Sequence, residues 1–409
     1  MLIQFSVTNF QCIKERVTLD MRSIRLTEYQ DTLIDDRLLP IAAIYGPNGG
    51  GKSTILKALS VLRSLIGRHF IAMGDNIIRL ESIIPFKFDT ECLNRPTEFE
   101  IFIENKGIEY KYYIAILNNQ IVDESLYFRK VGSEAIKEAF TRHNNDITLG
   151  AALKGEVKVV NNISDSMPLL AMIGLLYKVQ LIENLKEWFL STMIVDYNLP
   201  FQDEILLEGI YQLELNVNER TLRIKDRVLD LLRGMDINIT SFRTEKIQVT
   251  PTRPKIKIST VHSVDGISYE LDLQEESNGT RKIFALLPIF VMALERGNNV
   301  IIDELDAKIH PKLLKFIIEL FTRKDINTNG AQLVFTSHDL TTMTKEVFRR
   351  DEIWFMAMCK QEYSQLYSLT DIRAENGELV RKDAAYNKQY IEGRYGADPY
   401  LNAIKLWEV

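Results

Sequence analysis

Apolar positions along this chain recur with two different spacings. Residues 97–130 alternate apolar and polar positions, as in "TEFEIFIE" and "IEYKYYIAIL", which predicts half-buried strands. The short runs "LLPIAAIY", "NVIIDEL" and "AQLVFTS" are almost continuously apolar, as strands buried on both faces are. In "KSTILKALSVLRSLI" and "PKLLKFIIELF" the apolar residues recur every three or four positions instead, which predicts helices.

These patterns divide the chain into three parts. Strands dominate residues 1–130, helical periodicity dominates 131–240, and strands alternate with helices over 241–409. Such alternation is typical of a mostly parallel sheet. We therefore expect an α/β fold in which 1–130 and 241–409 are two halves of one sheet domain. An antiparallel β subdomain would accompany it, and 131–240 would be a helical insertion.

Composition narrows the class of protein. The chain has 409 residues and a net charge of −6, so it would not coat nucleic acid through charge alone. Its three cysteines lie far apart and suggest neither a zinc site nor a disulfide framework. The longest apolar run, 167–177, is shorter than the about 20 residues that cross a bilayer, and the N-terminus lacks the pattern of a signal peptide. We expect a cytoplasmic protein without membrane contact.

The stretch "AIYGPNGGGKST" has the spacing of a phosphate-binding loop. It fits G-x-x-x-x-G-K-[ST] at Gly46, Gly51, Lys52 and Ser53, after an apolar strand and before a helix. Glycines let successive N–H groups point at phosphate oxygens, and the helix N-terminus adds a positive end. Lys52 would reach the β- and γ-phosphates of ATP, and the Ser53 hydroxyl would ligate Mg²⁺. A glycine-rich turn with an incidental lysine is the disfavoured alternative.

Two further strands end in polar residues that suit the same chemistry. Asp303 and Glu304 follow "NVII". Two acids directly after a buried strand cost free energy of folding unless a cation binds them. Asp303 would hold Mg²⁺ and Glu304 would polarise the attacking water. His338 follows "QLVFTS" at the position expected for a γ-phosphate sensor. The alternatives are an acidic turn and a polar strand cap.

The order of these segments resembles a known group of ATPases. A phosphate loop, a helical insertion, "ESNGTRKIF", "VIIDELDAKIHP" and "FTSHD" follow one another as in ABC-type ATPases of the SMC and RecF kind. The arrangement looks most like the bacterial AAA-type subgroup related to the OLD proteins, which includes ATPase subunits of abortive-infection and other anti-phage systems. The resemblance covers about 1–130 and 240–409, including "YIEGRYGADPYL", and implies an ABC-type P-loop NTPase head.

The resemblance assigns roles to individual residues. It implies that the Walker A loop consists of Gly46, Asn48, Gly49, Gly51, Lys52, Ser53 and Thr54. Asp303 matches Walker B, Glu304 the catalytic glutamate, His338 the switch histidine and Asp306 the D-loop aspartate. The signature motif is matched by Ser277, Asn278, Gly279 and Thr280.

The signature match implies an oligomer. In such families the signature serine and glycine contact the γ-phosphate bound by the opposite subunit, so Ser277 and Gly279 would complete a partner's site in a homodimer or higher homo-oligomer. The residues themselves indicate only that a helix N-terminus after Ser277 could bind an anion. The segment also lacks the usual leading Leu-Ser-Gly-Gly, and "ESIIPFKFDTE" offers no glutamine for the Q-loop.

Other predictions concern partners. After His338 we find no set of convergent acids, so we expect no nuclease domain in this chain and a separate effector protein, a nuclease or toxin. A basic strip would contact nucleic acid or, as we favour, guard a sheet edge; it consists of Arg243, Lys246, Arg253, Lys255 and Lys257.

The predicted function is that of an ABC-type ATPase, the sensor or motor subunit of an anti-phage defence system. The alternatives are a RecF-like DNA-repair ATPase and an ATP-stabilised scaffold with little turnover. Glu304 favours real hydrolysis over the scaffold.

Overall fold

The computed structural model describes residues 1–71, 83–158, 163–196, 218–250, 253–373 and 379–397, together with 80, 206 and 210. The strands are β1 Leu2–Thr8, β2 Val17–Asp20, β3 Ile41–Tyr45, β4 Thr97–Asn105, β5 Ile108–Leu117, β6 Gln120–Lys130, β7 Lys137–His143, β8 Asp146–Leu149, β9 Met193–Val195, β10 Ser241–Thr250, β11 Arg253–Val264, β12 Ile267–Asp272, β13 Asn299–Ile302, β14 Gln332–Thr336, β15 Ile353–Met358 and β16 Ser364–Ser368. The helices are α1 Lys52–Ile71, α2 Leu169–Leu176, α3 Gln180–Ser191, α4 Glu219–Gly234, α5 Asn278–Arg296, α6 Pro311–Thr322 and α7 Tyr386–Ile391.

A six-stranded sheet forms the centre of the molecule, in the order β16-β15-β3-β14-β13-β9. The strands from β15 to β9 are parallel to their neighbours, and β16 returns antiparallel to β15 as a hairpin. The prediction of an α/β fold with a mostly parallel sheet is therefore confirmed.

Two antiparallel sheets accompany the central one. The larger has seven strands in the order β2-β1-β4-β5-β6-β7-β8, and the smaller has three in the order β10-β11-β12. The strong period-2 alternation of β4 and β5 explains the larger sheet, because one face is buried while the other carries charged side chains. These sheets confirm the predicted antiparallel β subdomain.

The central sheet separates two hydrophobic cores. Ala42 and Ile44 of β3 belong to the core that contains α1, α2, α3 and the inner face of the seven-stranded sheet. Ile41, Ala43 and Tyr45 belong to the other core, which includes residues of α4, α5 and α6. β3 is thus buried on both faces, which is why its sequence is continuously apolar.

Residues 131–240 are not purely helical, in contrast to our prediction. They contain α2, α3 and α4, but 137–149 form the hairpin β7–β8 at the edge of the seven-stranded sheet. In addition, β9 pairs in parallel with β13 and extends the central sheet. The hairpin escaped prediction because its strands are short and mostly polar, although Asn144, with φ of 51°, is a typical turn residue. The domain boundaries at 130 and 240 stay a prediction.

Two side-chain amides join the two large sheets at the edge where the parallel strands begin: that of Gln332 and that of Asn299, whose Oδ1 accepts the Leu2 N–H at 3.3 Å. Gln332, the fully buried first residue of β14, donates from Nε2 to the carbonyl oxygens of Leu2 and Leu39 at 3.0 Å each. Its Oε1 accepts the Leu2 N–H at 2.5 Å. β1 is therefore fixed to the central sheet at the edge opposite the strand ends that carry the motifs.

A buried ionic network ties residues 24–29 to the short helical turn before β15. The Arg349 guanidinium, 1% exposed, donates to the Asp351 carboxylate at 2.8 and 2.9 Å and to the Glu28 carbonyl at 2.6 Å. Glu352 accepts the Arg349 N–H at 2.8 Å. Burial raises the pKa of Glu352 from its ordinary 4.5 to about 8.

Among the described residues, no helix combines the length and the apolar composition needed to cross a bilayer.

The raised pKa of Glu352 generates a prediction about stability. Since the pKa of Glu352 in the folded state lies above its unfolded value, the contribution of this carboxyl group to the free energy of unfolding is fully present below pH 4.5. It is lost as the pH rises towards about 8. Glu352→Gln removes this dependence. We expect the melting temperature of the variant, relative to the original chain, to rise by at least about 2 °C between pH 5 and pH 8. Glu134→Gln, at an exposed position, is the control. The prediction would be contradicted if the melting temperatures of Glu352→Gln and the original chain differed by the same amount at both pH values.

Candidate functional site

The predicted site segments lie at one edge of the central sheet. β3, β14 and β13 are adjacent and parallel, with Ile44 opposite Thr336 and Ile302 opposite Phe335. Their carboxyl ends therefore meet at the same edge, where ligands bind in open α/β sheets. The phosphate loop follows β3, the segment with His338 follows β14, and Asp303 follows β13.

The phosphate loop has a backbone that only glycine adopts without strain. Gly46, Gly49 and Gly51 have φ of 152°, 78° and 101°. A Cβ atom on Gly46 would overlap the carbonyl oxygen of Met356, and one on Gly51 would overlap the hydroxyl of Ser364. The loop is therefore pressed against the β15–β16 hairpin, which explains why the chain places its glycines here.

Lys52 is held inside this loop. Its ammonium group donates to the carbonyl oxygens of Gly46 at 2.8 Å and Pro47 at 3.1 Å, and the residue is 6% exposed. Burial lowers the pKa of Lys52, while the negative charges of Asp303, Glu304 and Asp306 act in the opposite direction. The structure thus brings the predicted lysine and the predicted acids into one electrostatic environment.

The first turn of α1 carries the remaining Walker A side chains. Ser53 and Asn48 are exposed, and both remain available to a ligand at this edge. Thr54 donates its N–H to the Gly51 carbonyl at 2.9 Å, and its hydroxyl accepts from the Cys12 thiol at 3.2 Å. Sequence reasoning missed Cys12, because nothing in its local pattern links it to a loop that lies far along the chain.

Thr336 orients both acids that follow β13. Its hydroxyl donates to Asp303 Oδ1 at 2.5 Å and accepts the Glu304 N–H at 2.7 Å. Asp303 is 4% exposed, whereas Glu304 is half-buried. Glu304 has φ of 52°, a left-handed conformation that costs a non-glycine residue about 1–2 kcal/mol. The sequence indicated the two acids but not this threonine, whose role depends on strand pairing.

Asp306 connects the turn after β13 with the segment after β14. Its Oδ2 accepts the His338 N–H at 3.0 Å. Within the described part of the chain, Asp306 Oδ1 is buried without a hydrogen-bond partner. The His338 side chain is exposed. The backbone of the switch candidate is therefore fixed, while its imidazole projects into the solvent at the strand edge.

The signature segment lies beside the same turn. Ser277 is the N-cap of α5, where its hydroxyl accepts the Thr280 N–H at 3.1 Å, and its side chain is exposed. A Cβ atom on Gly279 would lie 2.8 Å from the Lys308 carbonyl oxygen, so the start of α5 packs closely on this turn. The preceding Glu276 is held by the Thr260 hydroxyl at 2.7 Å.

The predicted basic strip is divided between two sheet faces. Arg243 is opposite Ser259 and Glu245 is opposite Lys257, so Arg243 and Lys257 share a face, whereas Lys246 lies on the other. The side chains of two further residues of the strip, at 253 and 255, lie outside the described residues, as do parts of "ESIIPFKFDTE" and "YIEGRYGADPYL". Nucleic-acid contact stays a prediction.

A profile of the family described as "AAA domain, putative AbiEii toxin, Type IV TA system" matches residues 41–344. The chain belongs to this family. The match confirms the predicted resemblance to AAA-type ATPases and extends through the middle of the chain, for which the motifs gave no indication. No curated protein matches the sequence.

Three of the solved structures that resemble this AAA-family chain are SMC heads. They are an SMC head bound to the C-terminal winged-helix domain of ScpA, the SMC head domain from Thermotoga maritima, and an SMC head with an extended coiled coil bound to the C-terminal domain of ScpA derived from Pyrococcus furiosus. Their sequences are 14%, 14% and 12% identical, with TM-scores of 0.48, 0.43 and 0.40. Each comparison covers 90% of this chain and 98%, 98% and 96% of the other.

The donor set of this ATPase-family site fits a magnesium ion that is shared with a nucleotide. Asp303 would supply a carboxylate and Ser53 a hydroxyl, which are the hard oxygen ligands that Mg²⁺ prefers. No group of three or more His, Cys, Asp or Glu residues that could hold a metal occurs in the described ranges. Two protein ligands suffice for Mg²⁺ in nucleotide sites, because phosphate and water oxygens complete its shell.

Proposed function

We propose that this chain binds ATP together with Mg²⁺ and hydrolyses it to ADP and phosphate. The observation that carries the proposal is the convergence of Lys52, Asp303, Glu304 and His338 at one edge of the central sheet, beside a loop whose backbone is shaped for phosphate. These side chains would supply a phosphate-binding cation, a metal-binding carboxylate and a group that orients the attacking water, which phosphoryl transfer requires.

Nucleotide binding falls to the phosphate loop. Lys52 would exchange the carbonyl oxygens of Gly46 and Pro47 for the β- and γ-phosphates, which gives its buried charge a stronger partner. Ser53 and Asp303 would hold the Mg²⁺, which neutralises charge on the phosphates when bound. The loop N–H groups and the α1 N-terminus add a positive potential at the same place.

Hydrolysis falls to the residues that follow β13 and β14. The Glu304 carboxylate would accept a proton from the attacking water and orient it. Thr336 fixes the backbone from which this carboxylate projects, through the bond to the Glu304 N–H. His338 would contact the γ-phosphate, with its main chain held by Asp306.

The exposed signature segment supports a dimer in which each subunit completes the other's site. Ser277 and Gly279 start α5, whose free N–H groups favour an anion. Two subunits would meet around a two-fold axis with two ATP molecules in the interface, since a two-fold arrangement pairs each signature segment with a phosphate loop. Asp306 would lie beside this interface.

Within the cell, the chain would act as the sensor or motor subunit of an anti-phage defence system with a separate effector, a nuclease or toxin. The family description, which names an AbiEii toxin and a Type IV TA system, supports this role. We expect the tagged protein, expressed in its own host, to co-purify with one dominant protein of nuclease or toxin chemistry. Mass spectrometry of the eluate checks this, and DNA-repair proteins in its place would favour the RecF-like alternative.

Glu304→Gln and Lys52→Ala should separate hydrolysis from binding. The glutamine variant should bind ATP normally and hydrolyse it about 10²–10⁴-fold more slowly, since it cannot accept a proton. The alanine variant should lose about 100-fold or more in affinity, because a neutral stub leaves the phosphate charge without a partner. Calorimetry measures the affinity for ATP, and phosphate release measures the rate of hydrolysis. Lys57→Ala, at an exposed position one turn later on α1, is the control. Unchanged affinity in Lys52→Ala would refute the nucleotide site.

Ser277→Arg tests the dimer. Each homodimer of this variant should bind ATP but not hydrolyse it, because a bulky cation occupies the space of the partner's γ-phosphate. Mixing it with Lys52→Ala subunits gives dimers in which one interface combines both lesions and the other combines two intact halves. ATPase activity should therefore return on mixing, up to the fraction of mixed dimers. Full activity of Ser277→Arg alone rejects the signature assignment.

A further inference from the structure

Lys282 is a buried lysine that contacts the turn carrying Glu304. It lies in the second turn of α5, five positions after Ser277, and is 8% exposed. Its ammonium group donates to the Glu304 carbonyl oxygen at 2.7 Å and to the Ala307 carbonyl oxygen at 3.0 Å. A buried charge is costly, and these two carbonyl dipoles offset part of that cost.

The turn that Lys282 contacts has an unusual backbone. Glu304 and Lys308 both have positive φ, 52° and 64°, although neither is glycine. The turn is closed by the Ala307 N–H, which donates to the Glu304 carbonyl at 3.2 Å. Left-handed residues of this kind persist only where the surroundings over-determine them. Lys282 supplies such a constraint, because it holds two carbonyl groups of the turn at once.

The start of α5 constrains the turn at its far end. Gly279 lies so close to the Lys308 carbonyl that a Cβ atom would be 2.8 Å from this oxygen. Lys282 contacts the turn at Glu304 and Ala307, and Gly279 approaches it at Lys308, so α5 constrains the turn at both ends. On the opposite side, Thr336 accepts the Glu304 N–H. Glu304 is thus held by its N–H from β14 and by its carbonyl from α5.

We propose that Lys282 is a positioning residue for Glu304, an inference that rests on the proposed role of Glu304 in hydrolysis. By holding the Glu304 carbonyl, the ammonium group fixes the direction in which the carboxylate leaves the backbone. The contacts of Lys282 that carry this role are with main-chain carbonyl groups of the turn. It acts through the main chain, and its removal should affect the chemical step while leaving nucleotide binding at Lys52 intact.

Lys282→Met and Lys282→Arg test this inference. Methionine keeps most of the length of the side chain but loses the donors, so kcat should fall by roughly 10- to 100-fold, as it does when a partner that orients a metal ligand is lost. The KM and the ATP affinity should change by less than about 2-fold. Arginine keeps donors and charge and should restore part of kcat. Lys315→Met, an exposed lysine on α6, is the matched control with no expected effect.

Hydrogen exchange of the peptide that covers 303–308 gives a readout that does not depend on turnover. In Lys282→Met the amides of this turn should exchange faster, while those of β3 should not change. If Lys282→Met does not fold, as judged by its melting curve, Lys282→Gln takes its place. Wild-type kcat in the folded variant, unchanged exchange of the turn, or an equal loss of affinity and kcat would each overturn the inference. An original chain without ATPase activity refutes the proposed function instead, and exchange of the turn then still decides whether Lys282 holds it.

Mixed dimers show in which subunit Lys282 acts. In a mixed dimer of Lys282→Met and Glu304→Gln subunits, Glu304 is present only in the Lys282→Met subunit. The one active site that keeps Glu304 therefore contains the turn that lacks its Lys282 contact. Activity should therefore stay low. In a mixed dimer of Lys282→Met and Ser277→Arg subunits, one active site combines the phosphate loop and Glu304 of the Ser277→Arg subunit with the signature segment of the Lys282→Met subunit. Both halves of this site are intact, so activity should return. The reverse pair of results would assign Lys282 to the signature segment and overturn its role towards Glu304.

Discussion

In the central sheet, β3 pairs in parallel with β14 on one side and β15 on the other, and hydrophobic cores cover both faces. This arrangement disfavours polar side chains at the interior positions of β3, β13 and β14, which are all apolar, because each of them faces one core or the other. Polar chemistry can begin only where the strands end. The parallel direction brings these ends together, so the position of the whole candidate site follows from strand pairing.

What the sequence could predict was local. The spacing of glycines before Lys52 and the two acids after "NVII" depend on a few neighbouring residues, and the structure brings these segments together at one sheet edge. The roles of these residues in nucleotide binding and hydrolysis are proposals. The flanking apolar runs predicted the strands, because a strand that is buried on both faces must be apolar at nearly every position. The hairpin within 131–240 was missed, since short polar strands at a sheet edge bury few apolar residues and leave a weak pattern.

Contacts between distant segments could not be predicted in this way. Met356 and Ser364 determine how tightly the phosphate loop must turn, yet both lie far along the chain. Thr336 and Lys282 resemble ordinary strand and helix residues until strand and helix packing place them around Glu304. Thr336 and Lys282 share a property: each forms a hydrogen bond with a backbone group of Glu304, a residue with positive φ. Irregular backbone next to a motif is where such partners should be sought.

The bond between Gln332 and Leu2 has a consequence for the order in which the molecule assembles. It joins residues that are 330 positions apart, and β3 likewise has both its partners in the last part of the chain. At about 5–20 residues per second, a ribosome needs roughly 15–65 seconds to make that length. For most of this time β3 has been made but its partners β14 and β15 have not, although α1 and the seven-stranded sheet can already cover one of its faces. The nascent chain thus exposes an unpaired apolar strand, and a chaperone that binds such segments would find its target just before the phosphate loop.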